Sequence, residues 1–387
     1  MPLPSVAGLG YNPAATMSDQ RTILFAGGGT GGHLYPGIAV AQALIARRPD
    51  VKPLFLCTTR AIDRTILAPA GFAFIEQPIQ PPRRSVGGLL SFFKSWRETK
   101  DLLKKTLREA HPAAILGLGG YAAGPAVKYA SEKGVPAAIL NPDVIPGRAN
   151  HYLLRHVQEV YCQFEATRAC LPLAHQHKMR VVGCPIRPGL LPLPPRAEAA
   201  KRLGVDPKLA TLTITGASQG AQTVNEAVLE SLTTATLQGW NVLHLAGKDH
   251  AEAVRGEYRK LGLPAVVIDF TPDMQDVWAV TDLAVARAGA STCAELTALG
   301  IASILFPYPF HKDMHQRANG EVLRNAGAAV LLDDKKARKP NAEQLQPHLT
   351  ALLRDATRRR AMADAAAKLG RPTAAEDVAD RLAGMIA

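Results

Sequence analysis

Three glycine-rich turns constrain this chain more than any other feature: AGGGTGGHLYP from Ala26, GLGGYAAGPA from Gly117 and TGASQGAQTVN from Thr215. Each lies between an apolar run and a segment of helical pattern. Glycine lets backbone amides approach an anionic ligand closely, and the N-terminus of the following helix adds a positive dipole. Three such turns, divided between the two halves of one chain, imply two nucleotide-type α/β domains facing each other across a cleft. A fourth segment, RAGASTCAEL from Arg287, adds polar side chains of the kind that grip a nucleotide sugar.

The runs between the turns fit that plan. Thr22–Ala26, Val51–Cys57, Ala113–Leu116, Ala137–Leu140 and Val157–Phe164 alternate with helical segments in the first half. The alternation restarts with Leu212–Thr215, Val242–Ala246, Val266–Phe270, Leu283–Ala286 and Ser303–Pro307. Short apolar strands alternating with helices predict doubly wound parallel sheets, and the tail from Ala351 reads as helical. The proline-rich stretch CPIRPGLLPLPPRAE from Cys184 reads as the linker between the halves. The expected plan is a tail over 1–20, one domain over 21–184, a linker over 185–196, a second domain over 197–365 and a terminal helix over 366–387. A hydrophobic content of 47% is ample for two cores.

Residues 1–20 carry neither a basic n-region nor a continuous apolar run, so no signal peptide is expected, and Met17 is an alternative start. No window reaches the roughly eighteen apolar residues of a spanning helix. The five cysteines lie far apart without zinc-like spacing, which fits a reducing compartment. A net charge of +12 calls for an anionic partner. Nucleic acid is not expected, because no recognition-helix or RNP-type motif accompanies that charge. The segment Arg83 to Arg108 points instead to an anionic membrane. It sets Leu89, Leu90, Phe92, Phe93 and Trp96 among eight Lys/Arg residues, opposed there by Glu98 and Asp101. An amphipathic core helix with a basic outer face is the other reading of that segment.

The first turn lacks the lysine of a P-loop, and no acidic residue closes the second strand, so neither a triphosphate nor an ordinary dinucleotide is expected there. His33 follows its glycines where a helix begins. A helix N-terminus opposes added positive charge, which suits a general base taking a proton from an alcohol. The third turn offers free amides and the Ser218 hydroxyl as a diphosphate cradle. Arg187 either closes over that diphosphate or is a solvated linker charge. Glu295 follows Thr292 at capping-box spacing, so it either caps a helix or accepts ribose hydroxyls. Asp313 and His315 are two metal-type side chains without a third, and sugar hydroxyls are the expected partners of that segment.

Taken together, GGTGGH-x-x-P from Gly28, GLGGY-x-x-GP from Gly117, IPG-x-AN from Ile145, GASQGA from Gly216, RAGA-x-T-x-AEL from Arg287 and D-x-HQ-x-x-N from Asp313 resemble the MurG family of bacterial peptidoglycan N-acetylglucosaminyltransferases. The resemblance runs from about Thr22 to the C-terminus. It implies the GT-B architecture, two Rossmann-like domains with a C-terminal helix returning to the first. It implies inverting transfer of GlcNAc from UDP-GlcNAc to the 4-hydroxyl of MurNAc in lipid I, giving lipid II, at the cytoplasmic face of the inner membrane. UDP-GlcNAc is then a substrate, no cofactor or metal is required, and neighbouring cell-wall enzymes are expected partners.

By resemblance, Thr30, Gly31, Gly32, Asp143, Arg187, Ser218, Gly220, Thr271, Ala290, Ser291, Thr292, Cys293, Ala294, Glu295 and Gln316 surround the donor. Gly119, Gly120 and Tyr121 face the acceptor diphosphate, and His33 is the expected base. One departure stands out. The family usually reads HEQN before IPG, where this chain has Leu140-Asn141-Pro142-Asp143. Asp143 accepts a hydrogen bond from a sugar hydroxyl but cannot donate one when ionised, and it is the second candidate for the base. His315 replaces a usual Gln, while Gln316 is intact. The departure raises a catalytically weak, UDP-sugar-binding membrane scaffold as an alternative, beside a related glycolipid synthase with another acceptor.

Overall fold

The structure, a computed structural model, describes residues 20–81, 85–216, 220–310 and 313–386. The expected tail over 1–20 lies outside them except for Gln20, as do Arg83 and Ser218. The first half comprises β1 (Arg21–Gly27), α1 (Gly31–Arg47), β2 (Val51–Thr58), α2 (Ala61–Leu67), β3 (Ala73–Gln77), α3 (Val86–Ala110), β4 (Ala114–Gly119), α4 (Ala123–Glu132), β5 (Ala137–Asn141), α5 (Arg148–Leu153), β6 (Glu159–Cys162) and β7 (Met179–Val181). The second comprises α6 (Arg196–Leu203), β8 (Ala210–Thr215), α7 (Gln222–Ser231), β9 (Trp240–Leu245), α8 (Ala251–Leu261), β10 (Val266–Ile268), α9 (Met274–Val280), β11 (Leu283–Ala286), α10 (Ala290–Leu299), β12 (Ser303–Leu305), α11 (His315–Asn325), β13 (Ala329–Leu331), α12 (Arg338–Arg354), α13 (Ala356–Leu369) and α14 (Ala374–Met385).

The strands form two sheets, ordered β3-β2-β1-β4-β5-β6-β7 and β10-β9-β8-β11-β12-β13. Every strand pair described is parallel. Central strands are apolar on both faces because helices cover both sides: Ile23 to Ala26, Ile115 and Leu116 are fully buried. The three strands that the sequence reading passed over, β3, β7 and β13, are all edges. Each carries a single buried residue; β3 and β7 are interrupted by polar residues, whereas β13 is apolar but only three residues long.

Past Gly370 the chain crosses back. Ala366 of α13 belongs to the second core, whereas Val378, Ala379 and Leu382 of α14 join Leu34 and Ile38 of α1 in the first. Arg47 of α1 pairs with Asp380, and Arg381 Nη1 donates to Glu159 Oε1 at 3.2 Å.

In each sheet the strand order reverses beside the first strand laid down, between β1 and β4 and between β8 and β11. Loops leaving neighbouring strands at such a point diverge and open a crevice. The four segments singled out from sequence follow these four strands. The first loop is held from below by Asp63, which is fully buried at the start of α2. Its carboxylate accepts the Gly29 N–H (2.7 and 2.9 Å), the Thr58 N–H (2.8 Å) and the Thr58 hydroxyl (2.7 Å). A Cβ on Gly28 would lie 2.2 Å from Asp63 Oδ2, which explains the glycine.

Two predictions follow from these buried polar groups. Asp63→Ala strands three donors and is expected to cost about 3–5 kcal/mol in denaturant unfolding; a loss below about 1 kcal/mol would mean that the loop is held elsewhere. His244 on β9 is fully buried between Tyr258 Oη (3.0 Å) and Asn225 Oδ1 (3.1 Å), and burial pushes its pKa from 6.5 down to about 3. The unfolded chain therefore takes up a proton that the folded one refuses. The stability this group confers is intact above pH 6.5 and is lost as the pH falls toward about 3. The slope is about 1.4 kcal/mol per pH unit, and His244→Gln is expected to remove it from unfolding midpoints measured across that window. An unchanged slope would assign the acid sensitivity to other groups.

Candidate active site

Two cavities open at the crevices. One, of about 720 Å³, is lined by the second glycine turn (Gly119, Gly120, Tyr121), by Phe92, Phe93 and Trp96 of α3, and by Arg148 and Tyr152. The other, of about 540 Å³, lies between the two halves of the chain. The cavities share His33, Pro142 and Asp143, so these residues mark the point at which contents of one can reach the other.

His33 lies in the first turn of α1. Its Nδ1 is 3.0 Å from the Gly28 carbonyl oxygen and 3.3 Å from Thr30 Oγ1. A carbonyl only accepts, so Nδ1 carries the proton and Nε2 presents a lone pair. The ring lies against the second glycine turn. A Cβ on Gly120, where φ is +74°, would meet His33 Cε1 at 3.1 Å. The two turns are thus glycine-rich for a common reason: they pack on each other with an imidazole between them.

Across the cleft, α1 and α10 begin toward the same space. Thr30, Gly31 and Gly32 line the interdomain cavity from one side, and Gly289, Ala290, Ser291 and Thr292 from the other. A Cβ on Gly32 would lie 3.8 Å from Ser291 Oγ. Two helix N-termini facing each other at this range repel, and an anion between them relieves that repulsion.

Arg187, Thr271, Glu295 and Gln316 also line this cavity. Gln316 Oε1 accepts the Tyr308 N–H at 2.9 Å. Glu295 is not a cap. Helix α10 starts at Ala290 with no side-chain cap, which puts Glu295 well inside it. Its Oε1 accepts from Arg187 Nε and its Oε2 from Trp278 Nε1, both at 2.8 Å. The same pair excludes the reading of Arg187 as a solvated linker charge. Cys293 and Ala294 of the expected donor set do not line the cavity: both are buried, and only Cys293 is turned by helical periodicity to the side opposite Ser291, Thr292 and Glu295. Gly220 does not line it either, because it packs under the Ala246 carbonyl. Ser218 lies outside the described residues.

Asp143 is held from the opposite half of the chain. Asn319 on α11, fully buried, donates to Asp143 Oδ1 (2.7 Å) and to the Ala288 carbonyl (3.2 Å) while accepting the Val144 N–H (2.9 Å). Asn141 donates to the Asp143 carbonyl at 2.7 Å. The asparagine of the D-x-HQ-x-x-N segment is therefore an interdomain strut. Arg287 is likewise structural, paired with the buried Asp334 at 2.7 Å. Sequence reasoning missed Tyr35, Asp63, Trp278 and Asn319 as parts of the site. Tyr35 stands at an unspecified position of the first turn's motif, Asn319 closes the motif from Asp313, and Asp63 and Trp278 lie outside every motif.

Helix α3 is inverted relative to an ordinary surface helix. Its buried stripe is Ser95, Thr99, Leu103 and Thr106, while Val86, Leu89, Leu90 and Phe93 are exposed. The rings of Phe92 and Trp96 meet at a tilt of 57°, centroids 5.5 Å apart, on the wall of the larger cavity.

Residues 23–162 match the glycosyltransferase family 28 N-terminal domain, and residues 211–378 match its C-terminal domain. The chain is 34% identical to a Myxococcus xanthus (strain DK1622) protein named UDP-N-acetylglucosamine--N-acetylmuramyl-(pentapeptide) pyrophosphoryl-undecaprenol N-acetylglucosamine transferase, over 92% of this chain and 91% of that one. A protein of the same name from Anaeromyxobacter dehalogenans (strain 2CP-C) is 36% identical over 92% of this chain and 91% of its own. The crystal structure of Acinetobacter baumannii MurG superposes with a TM-score of 0.74 at 25% identity, covering 94% of this chain and 99% of that one. The fold is GT-B, and the chain belongs to the family 28 glycosyltransferases, in the MurG family of N-acetylglucosamine transferases.

Proposed function

We propose that this protein is an inverting hexosyltransferase that moves GlcNAc from UDP-GlcNAc to the 4-hydroxyl of MurNAc in undecaprenyl-diphosphate-linked lipid I, giving lipid II for peptidoglycan synthesis. The observation that carries the reading is the meeting of two cavities at His33 and Asp143, in a chain whose relatives bear that activity in their names. The interdomain cavity takes the donor, with its diphosphate between the N-termini of α1 and α10 and beside Arg187. The larger cavity takes the acceptor against the Gly119–Tyr121 turn. As the bond from the anomeric carbon to UDP breaks, negative charge grows on the diphosphate, where the helix amides and Arg187 stabilise it. The acceptor oxygen attacks the opposite face of that carbon, which inverts it, and the hydroxyl proton passes to Nε2 of His33. Asp143 accepts a hydroxyl of the transferred sugar.

The acceptor is a lipid, and α3 supplies a surface for one. Beside its exposed apolar residues stand Lys94, Arg97, Lys100, Lys104, Lys105 and Arg108, all exposed. No helix among the described residues is long and apolar enough to cross a membrane. We infer peripheral binding to an anionic cytoplasmic leaflet, with interfacial burial of apolar side chains added to charge attraction.

Incubating the protein with radiolabelled UDP-GlcNAc and a short-chain lipid I analogue is expected to give a labelled product with the mass of the lipid II analogue. Donor binding without transfer would support the scaffold, and labelling of diacylglycerol instead would support the glycolipid synthase. In the apolar segment Leu89 and Leu90 are exposed outside both cavities, Phe92 and Trp96 line the larger one, and Phe93 is exposed at its rim. Serine at Leu89 and Leu90, which line neither cavity, is expected to weaken binding to anionic vesicles about tenfold or more. Trp96→Ala is expected to raise the acceptor KM and leave vesicle binding unchanged; the reverse pattern would mean that Trp96 is the anchor.

A further inference from the structure

Arg187 lies in the stretch between β7 and α6, yet its guanidinium is fixed from two sides. Nε donates to Glu295 Oε1 at 2.8 Å, and Cζ stands 5.3 Å from the ring centroid of Tyr35 on α1, across the cleft. Glu295 is 4% exposed, and its second oxygen takes the indole N–H of Trp278. Trp278 is 2% exposed and part of the core of the second half. A chain of contacts therefore runs from that core through Trp278 and Glu295 to Arg187, at the wall of the interdomain cavity. It ends at Nη1 and Nη2, for which the described residues provide no hydrogen bond or ion pair.

A guanidinium held at Nε and stacked on a ring has lost most of its rotamer freedom before any ligand arrives. The two nitrogens left over form the planar fork that matches phosphate oxygens. We propose that Trp278 and Glu295 are positioning residues for Arg187, setting its fork for a diphosphate, so that the site separates nucleoside diphosphates from nucleosides. The proposal rests on the reading of Arg187 as a diphosphate ligand given above. Glu295 keeps lone pairs for ribose hydroxyls, and the two roles separate by ligand: uridine carries only the ribose, whereas UDP carries ribose and diphosphate.

The test is calorimetric binding of uridine and of UDP to wild type, Trp278→Phe, Tyr35→Leu, Arg187→Met and the Trp278→Phe/Arg187→Met double variant. Phenylalanine keeps an aromatic ring in the core but has no N–H. Trp278→Phe is expected to weaken UDP about five- to tenfold and leave uridine within about twofold of wild type. In the Arg187→Met background, Trp278→Phe is expected to cost UDP nothing further. Tyr35→Leu acts from the other half of the chain and is expected to give the same selective loss, smaller in size. It decides the matter should Trp278→Phe not fold. Equal weakening of uridine and UDP by Trp278→Phe, or an undiminished effect in the Arg187→Met background, would overturn the relay. Wild-type UDP affinity in Arg187→Met would instead remove Arg187 from the diphosphate, a distinct failure that takes the underlying reading with it.

Discussion

The point in each sheet where the strand order turns back on itself governs this protein. Between β1 and β4, and again between β8 and β11, the loops leaving neighbouring strands diverge and open a crevice. Glycine at these loops lets helix N-termini come close to the crevice. The two crevices face each other, so the amides of α1 and α10 converge on one volume. Such a site is electrostatically incomplete when empty and favours an anion, which a nucleoside diphosphate supplies.

Loops this poor in side chains need support from elsewhere, and buried polar residues give it. Asp63 ties the first glycine turn to β2, Asn319 ties the Pro142–Val144 segment to α11, and Glu295 ties the linker arginine to α10. Each is fully or almost fully buried with its hydrogen bonds made, the condition under which a buried polar group specifies a geometry rather than destabilising it. The Asn319 contact also accounts for the departure at position 143. Its amide donates to Asp143 Oδ1, and an asparagine there would offer the same acceptor. The interdomain strut therefore tolerates either residue, and what changes is the hydrogen bonding offered to the cavity.

The inner strands and the glycine turns were legible because their constraints are local: an apolar run covered on both faces, or a backbone that must come close to something. Edge strands β3 and β7 are broken by polar residues, and β13, though apolar, is only three residues long. Position in a motif did not settle role, as Arg287, Cys293, Ala294 and Asn319 show. Whether a motif residue faces a ligand, the core or the other half of the chain depends on helix phase and on what stands opposite. The capping-box spacing at Thr292 misleads for the same reason: α10 starts two residues earlier, and Glu295 bonds Trp278 on α9 and Arg187 from a distant stretch of chain. Trp278 and Tyr35 carried no sequence signal, since an apolar or aromatic residue in a helix is ordinarily core.

The central claim is that His33, with its proton fixed on Nδ1 by the Gly28 carbonyl, takes the acceptor proton where the two cavities meet. Single-turnover transfer from UDP-GlcNAc to a lipid I analogue, compared between wild type, His33→Ala and Asp143→Asn, tests it most directly. The account predicts a loss of about 10²–10⁴ in rate for His33→Ala with donor affinity preserved, and a far smaller change for Asp143→Asn. A wild-type rate in His33→Ala, with the large loss in Asp143→Asn, would contradict it and make Asp143 the base.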